Sequence, residues 1–372
     1  MRVQFNTTNL HSPAFGASHR NRIDVQGHTG QMYDGMKNLT LTYSGQNIID
    51  TVSDFNVKKV LVSSLSGLNS KDSKLYKDEI IANDELLEEC SKSGGKLYPL
   101  ATCQPGINTD TKNIEKVLSK GKFYGMKFHP TNTGQSIKDN FDIYSKYLSV
   151  AEKHGLPCVF HSITDGKSDP EQIIKLAEKH KKLPVVLYHI DLASDKTQFE
   201  KTINKISESV KTGKSNLYVD LSWLTDIWAE NTQKNKDIIK MSIDKLGPER
   251  ILFGSDTPIT EMGDRGLYGK FVDFIENTTK EFFKEKGKET EAENALNKIF
   301  YDNAEGIFFN KNWTKGGFSK KSKIAGLCLA GTALIIGAGY LINKKLKENE
   351  LIKELNKNPS RVKKNTNLSL SV

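Results

Sequence analysis

The sequence lacks several features that assign a protein quickly to a class. Its four cysteines form no Cys-x-x-Cys pair, which argues against the common cysteine zinc sites and indicates reduced thiols in a reducing compartment. No Gly-x-Gly-x-x-Gly motif follows the first apolar run, so nothing indicates a dinucleotide-binding domain. The first 20 residues contain no apolar run of signal-peptide length, and we interpret residues 1–20 as a flexible leader.

The main part of the chain also lacks a surplus of positive charge. The net charge of the 372 residues is +9, but residues 311–372 alone hold 13 of the basic residues and 3 of the acidic ones. The first 310 residues therefore hold 41 basic and 42 acidic residues. Because nucleic-acid binding depends on an excess of Lys and Arg, this balance argues against nucleic acid as a partner of the main domain.

One long uncharged run lies near the C-terminus. Residues Ile324 to Ile342 are 19 residues without a charge, and lysines precede and follow them. A helix of this length spans about 28 Å, which is close to the hydrocarbon thickness of a bilayer. We predict a basic linker at 311–323, a single transmembrane helix at 324–342 and a basic tail at 343–372. The anchor predicts a membrane protein. With no signal peptide, its main domain is expected on the cytoplasmic side. The flanking charges give no independent evidence for this orientation, because both flanks are positive.

Eight short apolar runs, rich in β-branched and aromatic residues, recur along residues 21–310. They lack the polar alternation of a half-exposed strand, which is typical of strands buried on both faces of a sheet. The runs are residues 22–28, 59–64, 96–105, 123–130, 157–162, 184–191, 216–222 and 251–258.

Amphipathic segments alternate with these runs, and some begin with capping residues such as Asp169 before Pro170. Strict alternation of eight strands with helices predicts an α/β fold, a (β/α)8 TIM barrel, over residues 21–310, with an open doubly wound sheet as the alternative. The predicted helices are Gly45–Phe55, Asp84–Ser93, Thr111–Ser119, Ile143–His154, Pro170–His180, Lys196–Lys211 and Asp226–Lys245, with the last helices within Leu267–Phe309.

Residues able to bind a metal or move a proton lie at the ends of five predicted strands. In a TIM barrel these ends meet at one mouth, where active sites form. Imidazoles and a carboxylate can hold Zn²⁺ and leave a position for water, whose pKa the ion lowers. Each residue also has a simpler interpretation, since a strand histidine is often a hydrogen-bonded core residue, Asp256 can cap a turn and Lys127 can form a salt bridge. The residues are Gln26, His28, Lys127, His129, His161, His189 and Asp256.

Five strings that contain these residues carry a family resemblance. IDVQGHTG, GMKFHP, LPCVFHS, LPVVLYHID and RILFGSDTP occur in this order and resemble the amidohydrolase-related family of metal-dependent barrel hydrolases, relatives of aminocarboxymuconate semialdehyde decarboxylase. The resemblance covers roughly Arg22 to Phe309. It implies that a metal-activated water attacks a small carbonyl substrate, an amide, lactone or ester, or that the chain is a related decarboxylase.

The resemblance also implies roles for the residues at the strand ends. His28 and His161 would bind one divalent metal, Zn²⁺ or alternatively Mn²⁺. Asp256 would bind the metal or move the proton, and His189 would polarise the water or the substrate.

The fourth predicted strand supplies the substrate pocket in this resemblance. Lys127 and His129 match the family motif there and would line the pocket. In relatives with two metals, a carboxylated lysine at the position of Lys127 bridges the ions, which is a second interpretation of Lys127.

The first strand departs from the family pattern. The family carries His-x-His there, and Gln26 stands at the first of the two positions. A glutamine oxygen is a harder and poorer ligand for Zn²⁺ than an imidazole. The interpretations are a weakened metal site that includes Gln26, a site for another metal, or an inert barrel that serves as a membrane-anchored binding module. The substrate and the choice between hydrolysis and decarboxylation stay open, and the family allows a homodimer.

Overall fold

The computed structural model describes residues 20–34, 39–164, 166–191, 196–222, 232–259 and 264–315. The predicted leader up to residue 19, most of the predicted linker, the predicted span at 324–342 and the tail lie outside these ranges. Within the ranges, no helix combines the length and the apolar character needed to cross a bilayer. The membrane anchor therefore stays a prediction.

Eight of the nine strands in the described chain run parallel, and each lies beside the next one along the chain. The remaining strand, β2, pairs antiparallel with the far end of β1 and lies at the edge. The bounds are β1 Arg22–Asp34, β2 Leu39–Tyr43, β3 Val57–Ser64, β4 Leu97–Thr102, β5 Gly125–Phe128, β6 Cys158–His161, β7 Pro184–Tyr188, β8 Asn216–Asp220 and β9 Ile251–Leu252.

Backbone hydrogen bonds join the two ends of this sheet. The N–H of Val25 donates to the carbonyl oxygen of Phe253 at 3.0 Å, and the N–H of His28 donates to that of Thr257 at 2.8 Å. The N–H of Asp256 donates back to Gln26 at 3.0 Å. The parallel strands thus close into a barrel, and closure places β1 directly beside the residues that follow β9.

Helices follow the strands and cover the outside of the barrel. Sequence-encoded caps start several of them: Asp78 accepts hydrogen bonds from the first turn of α2, and Asp169 caps α6 ahead of Pro170. The helices are α1 Gly45–Val52, α2 Glu79–Ser91, α3 Lys112–Lys120, α4 Pro130–Thr133, α5 Phe141–His154, α6 Pro170–Lys179, α7 Lys196–Lys211, α8 Thr232–Leu246, α9 Arg265–Glu285 and α10 Ala292–Asn297, followed by π-helical turns at Lys298–Asp302 and Glu305–Phe309.

Apolar side chains fill two regions, one between the sheet and the helices and one inside the barrel. The inner region includes Val159 and Val186 from central strands. Ala304 and Phe308, from the last turns of the described chain, also belong to it. Glu305 pairs with Lys59 near the start of β3, which places these last turns at the amino-terminal end of the barrel. The carboxyl ends of the strands lie at the opposite end, the mouth at which the active sites of such barrels form.

All eight predicted strands are present, and the predicted barrel is confirmed at the level of an α/β barrel. Three local predictions were wrong. β1 continues to Asp34 and forms a hairpin with β2 that the sequence patterns did not predict. Helix α2 begins at Glu79 rather than Asp84, because Asp78 supplies the cap. Strand β9 is only two residues long, although its chain continues to bond to β1. The first residues of the predicted helix at 226–245 lie outside the described chain.

Candidate active site

Gln26 lies at the centre of the residues that the structure brings together at the mouth. Its Nε2 lies 2.6 Å from Oδ1 of Asp256 and 3.2 Å from Nε2 of His189. The side chain is 1% exposed. The reverse amide orientation would place Oε1 at 2.6 Å from a carboxylate oxygen with no proton between them, so the NH₂ group faces Asp256. The two N–H bonds of one amide therefore join β1 to the ends of β7 and β9.

His28 contacts the same carboxylate oxygen from the other side. Its Nε2 lies 3.0 Å from Oδ1 of Asp256, and its Nδ1 lies 3.0 Å from Oγ of Ser63. Burial lowers the pKa of His28, although Asp256 opposes this shift, so the ring is neutral at pH 7. A carboxylate has no proton to give, so the ring proton is on Nε2 and Ser63 donates to Nδ1.

A hydrogen-bonded chain from β8 orients His189. Oγ of Ser222 donates to Oδ1 of Asp220 at 2.8 Å and lies 2.9 Å from Nδ1 of His189. The backbone N–H of His189 also donates to Oδ1 of Asp220 at 2.8 Å. Because the single hydroxyl proton of Ser222 is directed to the carboxylate, Nδ1 of His189 donates to Ser222 and Nε2 carries the lone pair that faces Gln26.

Neither Asp220 nor Ser222 was predicted as a site residue. The signal was available, because the predicted run NLYVDLS places an aspartate at the end of the seventh barrel strand. Burial raises the pKa of Asp220 to about 7, against the lowering effect of its hydrogen bonds. The Cβ of an alanine at position 254 would lie 2.3 Å from Oδ2 of Asp220, so Gly254 provides the space for this carboxyl group.

Lys127 is a fully buried amine at the end of β5. Its Nζ has no hydrogen-bond partner among the described residues and lies 4.1 Å from the centre of the Tyr188 ring. Burial lowers its pKa to about 8, although Asp256 and Asp220 favour the charged form. At neutral pH the site therefore contains an ammonium group that water does not solvate.

His129 and His161 lie beside this cluster. Their rings stack with centroids 3.8 Å apart, and the His161 ring meets that of His189 edge-on at 4.9 Å. Burial, followed by the charges of His161 and Lys127, lowers the pKa of His129 well below 6.5, and the same causes act on His189. These two rings are therefore neutral at pH 7 and act as hydrogen-bond partners or proton acceptors.

Two site residues have backbone angles that favour glycine. His189 has φ of 70° and Asp256 has φ of 67°, and Ile190 next to His189 has φ of 38°. Such conformations cost about 1–3 kcal/mol for a residue other than glycine and cluster at functional sites. Both His189 and Asp256 are buried, with 4% of each exposed, so the strained positions belong to the buried cluster around Gln26.

The predicted metal ligands do not fit a metal as they are placed. Among the residues that the structure describes, no three His, Cys, Asp or Glu side chains are arranged to hold an ion. The amide nitrogen of Gln26, which has no lone pair for a metal, lies between Asp256 and His189. The nitrogen of His28 that would bind the metal carries a proton instead. The predicted Zn²⁺ ion therefore has no ligand set in this arrangement, and its presence stays a prediction.

The chain forms a closed β/α barrel with buried histidines, a carboxylate and a lysine at the carboxyl ends of its strands, an arrangement typical of barrel enzymes. The amidohydrolase family model matches residues 75–309. The chain belongs to the amidohydrolase family, as the resemblance implied. Members of this superfamily generally use divalent metals. No significant match was found among curated proteins.

Solved structures show the same fold at low sequence identity. An amidohydrolase from Burkholderia multivorans is 11% identical with a TM-score of 0.56, and the match covers 77% of this chain and 98% of that one. The 2,6-dihydroxybenzoate decarboxylase from Rhizobium is 14% identical with a TM-score of 0.53, and the match covers 78% of this chain and 98% of that one. Amidohydrolase 2 from Bifidobacterium longum subsp. infantis is 14% identical with a TM-score of 0.50, and the match covers 79% of this chain and 100% of that one. These similarities support the fold alone.

Proposed function

We propose that the chain is a hydrolase that cleaves a small ester or lactone at the mouth of the barrel, with Asp256 as the proton acceptor, His189 as a positioning residue held by Gln26, and Lys127 as the positive charge. The observation that carries the proposal is the pair of strained residues, His189 and Asp256, that meet at one amide. Strain of this kind persists where the surrounding structure fixes a functional geometry.

The proton-transfer groups at this site meet the needs of hydrolysis. Hydrolysis needs a base that takes a proton from water and a positive charge that stabilises the developing oxyanion. The carboxylate of Asp256 is the base, and the Lys127 ammonium is the charge. Decarboxylation instead needs a proton donor to carbon. The neutral rings of His129 and His189 are weak donors, so the Lys127 ammonium is the donor that this reaction would use. Metal-activated water, which the family resemblance implies, is not part of this proposal because the residues do not fit the ion.

A substrate panel with matched variants tests the proposal. The full chain is assayed with p-nitrophenyl acetate, with the lactone dihydrocoumarin and, as the alternative reaction, with 2,6-dihydroxybenzoate, the compound named for the Rhizobium neighbour. Asp256→Asn keeps the size of the side chain and removes the base, so we expect turnover to fall by about 10²–10⁴-fold. Asp264→Asn, at the cap of α9, is the control and should retain activity.

The result with all three compounds decides between the functions. Turnover of the ester or lactone that Asp256→Asn abolishes supports the hydrolase. Release of carbon dioxide from the benzoate alone would replace hydrolysis by decarboxylation. The inert binding module becomes the better account if none of the compounds reacts and Asp256→Asn does not change the shift in melting temperature that they cause. Gln26, which stands where the family pattern has a histidine, also favours that account.

We also propose that residues 324–342 anchor the enzyme to a membrane as a single span. The proposal rests on the uncharged run and its flanking lysines. After cell lysis, the chain should stay in the membrane pellet through washing at pH 11 and dissolve only with detergent. Deletion of residues 324–372 should move it to the supernatant, and an unchanged distribution would contradict the anchor.

A further inference from the structure

We infer that the Gln26 carboxamide takes the place of the metal ion in this chain, so that N–H hydrogen bonds hold His189 and Asp256 and the site works without a transition metal. In the family that the sequence resembles, a histidine stands at this position and binds the ion. Gln26 is thus a positioning residue. The inference concerns how the site is held together and does not depend on which substrate it accepts.

The amide nitrogen of Gln26 lies close to two groups that would bind an ion. It lies 2.6 Å from Oδ1 of Asp256 and 3.2 Å from Nε2 of His189. A Zn²⁺ ion would bind both atoms at about 2.0–2.2 Å, in the space between them. The amide nitrogen is within hydrogen-bond distance of both atoms, so in this orientation Gln26 already uses the two groups that an ion would need.

The N–H donors of Gln26 and the acceptors of Asp256 and His189 are paired without an ion. One NH₂ group offers two protons, and it meets two acceptors, the carboxylate of Asp256 and the lone pair of His189. With Asp220 ionised, the Asp220–Ser222 chain places the proton of His189 on Nδ1 and leaves Nε2 as the acceptor. The lone pairs of Oδ1 of Asp256 and Nε2 of His189 are therefore already directed at N–H groups.

His28 also donates to the carboxylate of Asp256. Its Nε2 lies 3.0 Å from Oδ1 of Asp256, and an approach of nitrogen to a carboxylate oxygen at this distance requires a proton between them. The carboxylate oxygen thus accepts two N–H bonds, from His28 and Gln26. Charge-assisted bonds of this type are among the strong ones in proteins. They hold the same atoms that an ion would hold.

The positive charge that an ion would bring has another source here. Lys127 is fully buried and its Nζ has no hydrogen-bond partner among the described residues. Its charge acts on Asp256 and Asp220. The amide of Gln26 provides the geometry of the missing ion, and the ammonium of Lys127 provides the charge.

Metal content in three forms of the full chain tests this inference. The wild-type chain, Gln26→His and Gln26→Met are expressed in medium with added Zn²⁺, freed of any affinity tag and passed over chelating resin. Elemental analysis then gives the bound metal, and melting temperatures are measured with ZnCl₂ and with dipicolinate. The histidine variant restores His-x-His, and methionine matches the size of glutamine without N–H or a good zinc ligand.

We expect wild type and Gln26→Met to hold less than about 0.1 equivalent of metal. Gln26→His should hold about one equivalent of Zn²⁺, bind it about 100-fold or more tightly than wild type, and melt at higher temperature with zinc than with dipicolinate. If Gln26→His does not fold, Gln26→Glu replaces it, because a second carboxylate opposite Asp256 also needs a cation. About one equivalent of metal in wild type, or equal metal in the histidine (or glutamate) and methionine variants, would overturn the inference. No substrate enters these measurements, so they are independent of the proposed reaction.

Discussion

Replacement of Lys127 by methionine should make the protein more stable at neutral pH. Burial lowers the pKa of Lys127 from 10.5 to about 8, and each pKa unit corresponds to about 1.4 kcal/mol, so holding the charge inside costs about 3 kcal/mol. The Tyr188 ring, 4.1 Å from Nζ, offsets about 0.5–2 kcal/mol of this cost. Lys127→Met should therefore raise the free energy of unfolding by about 1–3 kcal/mol at pH 7.

The pH dependence gives this prediction its sign. The charged amine is disfavoured in the folded state, so the cost is fully present below the folded pKa of about 8 and disappears as the pH rises toward 10.5. The gain from Lys127→Met should therefore be large at pH 7 and small at pH 10. Methionine has a similar length and no charge, so the cavity that it leaves is small.

Urea unfolding of the full chain, followed by circular dichroism at both pH values, measures the effect. Lys122→Met is the control, because Lys122 is exposed and its Nζ also lies near a ring, 4.9 Å from Tyr124. The control should change the free energy of unfolding by less than about 0.5 kcal/mol. If Lys127→Met lowers the free energy of unfolding by a similar amount at both pH values, Lys127 has a structural role and the reasoning is wrong. A stabilised variant without activity would indicate that the buried charge is retained for function.

Two further substitutions test the packing around the site. Burial raises the pKa of Glu79 from 4.5 to about 7, so wild type loses stability as the pH rises through this range. The difference in free energy of unfolding between Glu79→Gln and wild type should therefore shift in favour of the variant by about 2–3 kcal/mol from pH 5 to pH 8 in urea unfolding. Equal differences at the two pH values would refute this. Gly254→Ala places a Cβ 2.3 Å from Oδ2 of Asp220 and should cost about 2 kcal/mol or more. Gly306→Ala meets nothing within 4 Å and serves as its control in the same melting assay, where equal melting temperatures would contradict the placement of Asp220.

Much of the fold could be predicted because each barrel strand is buried on both faces and is recognisable as a short apolar run. The hairpin formed by β1 and β2 was not predicted, because it lies outside the repeated pattern of strand and helix, although the segment LTLTY of β2 alternates apolar and polar residues as a half-exposed strand does. Strand ends could be assigned to one mouth from the topology alone. That rule correctly brought together Gln26, His28, His189 and Asp256.

The chemistry of the mouth could be predicted only in part. Sequence patterns identify residue types, but the direction of the Gln26 amide and the proton position on His28 depend on distances that only the folded chain defines. Asp220 was missed although it ends a predicted strand, because a single aspartate in an apolar run has no spacing partner. Its role follows from contacts with Ser222 and His189.

The most direct test of the account is turnover in the presence of a metal chelator. Wild type and Asp256→Asn are assayed with dihydrocoumarin before and after dialysis against dipicolinate, and then with added Zn²⁺. The account predicts that wild type hydrolyses the lactone at the same rate in all three conditions and that Asp256→Asn is inactive in each. Loss of wild-type turnover with the chelator and its return with Zn²⁺ would contradict the claim that Gln26 and Lys127 replace the ion.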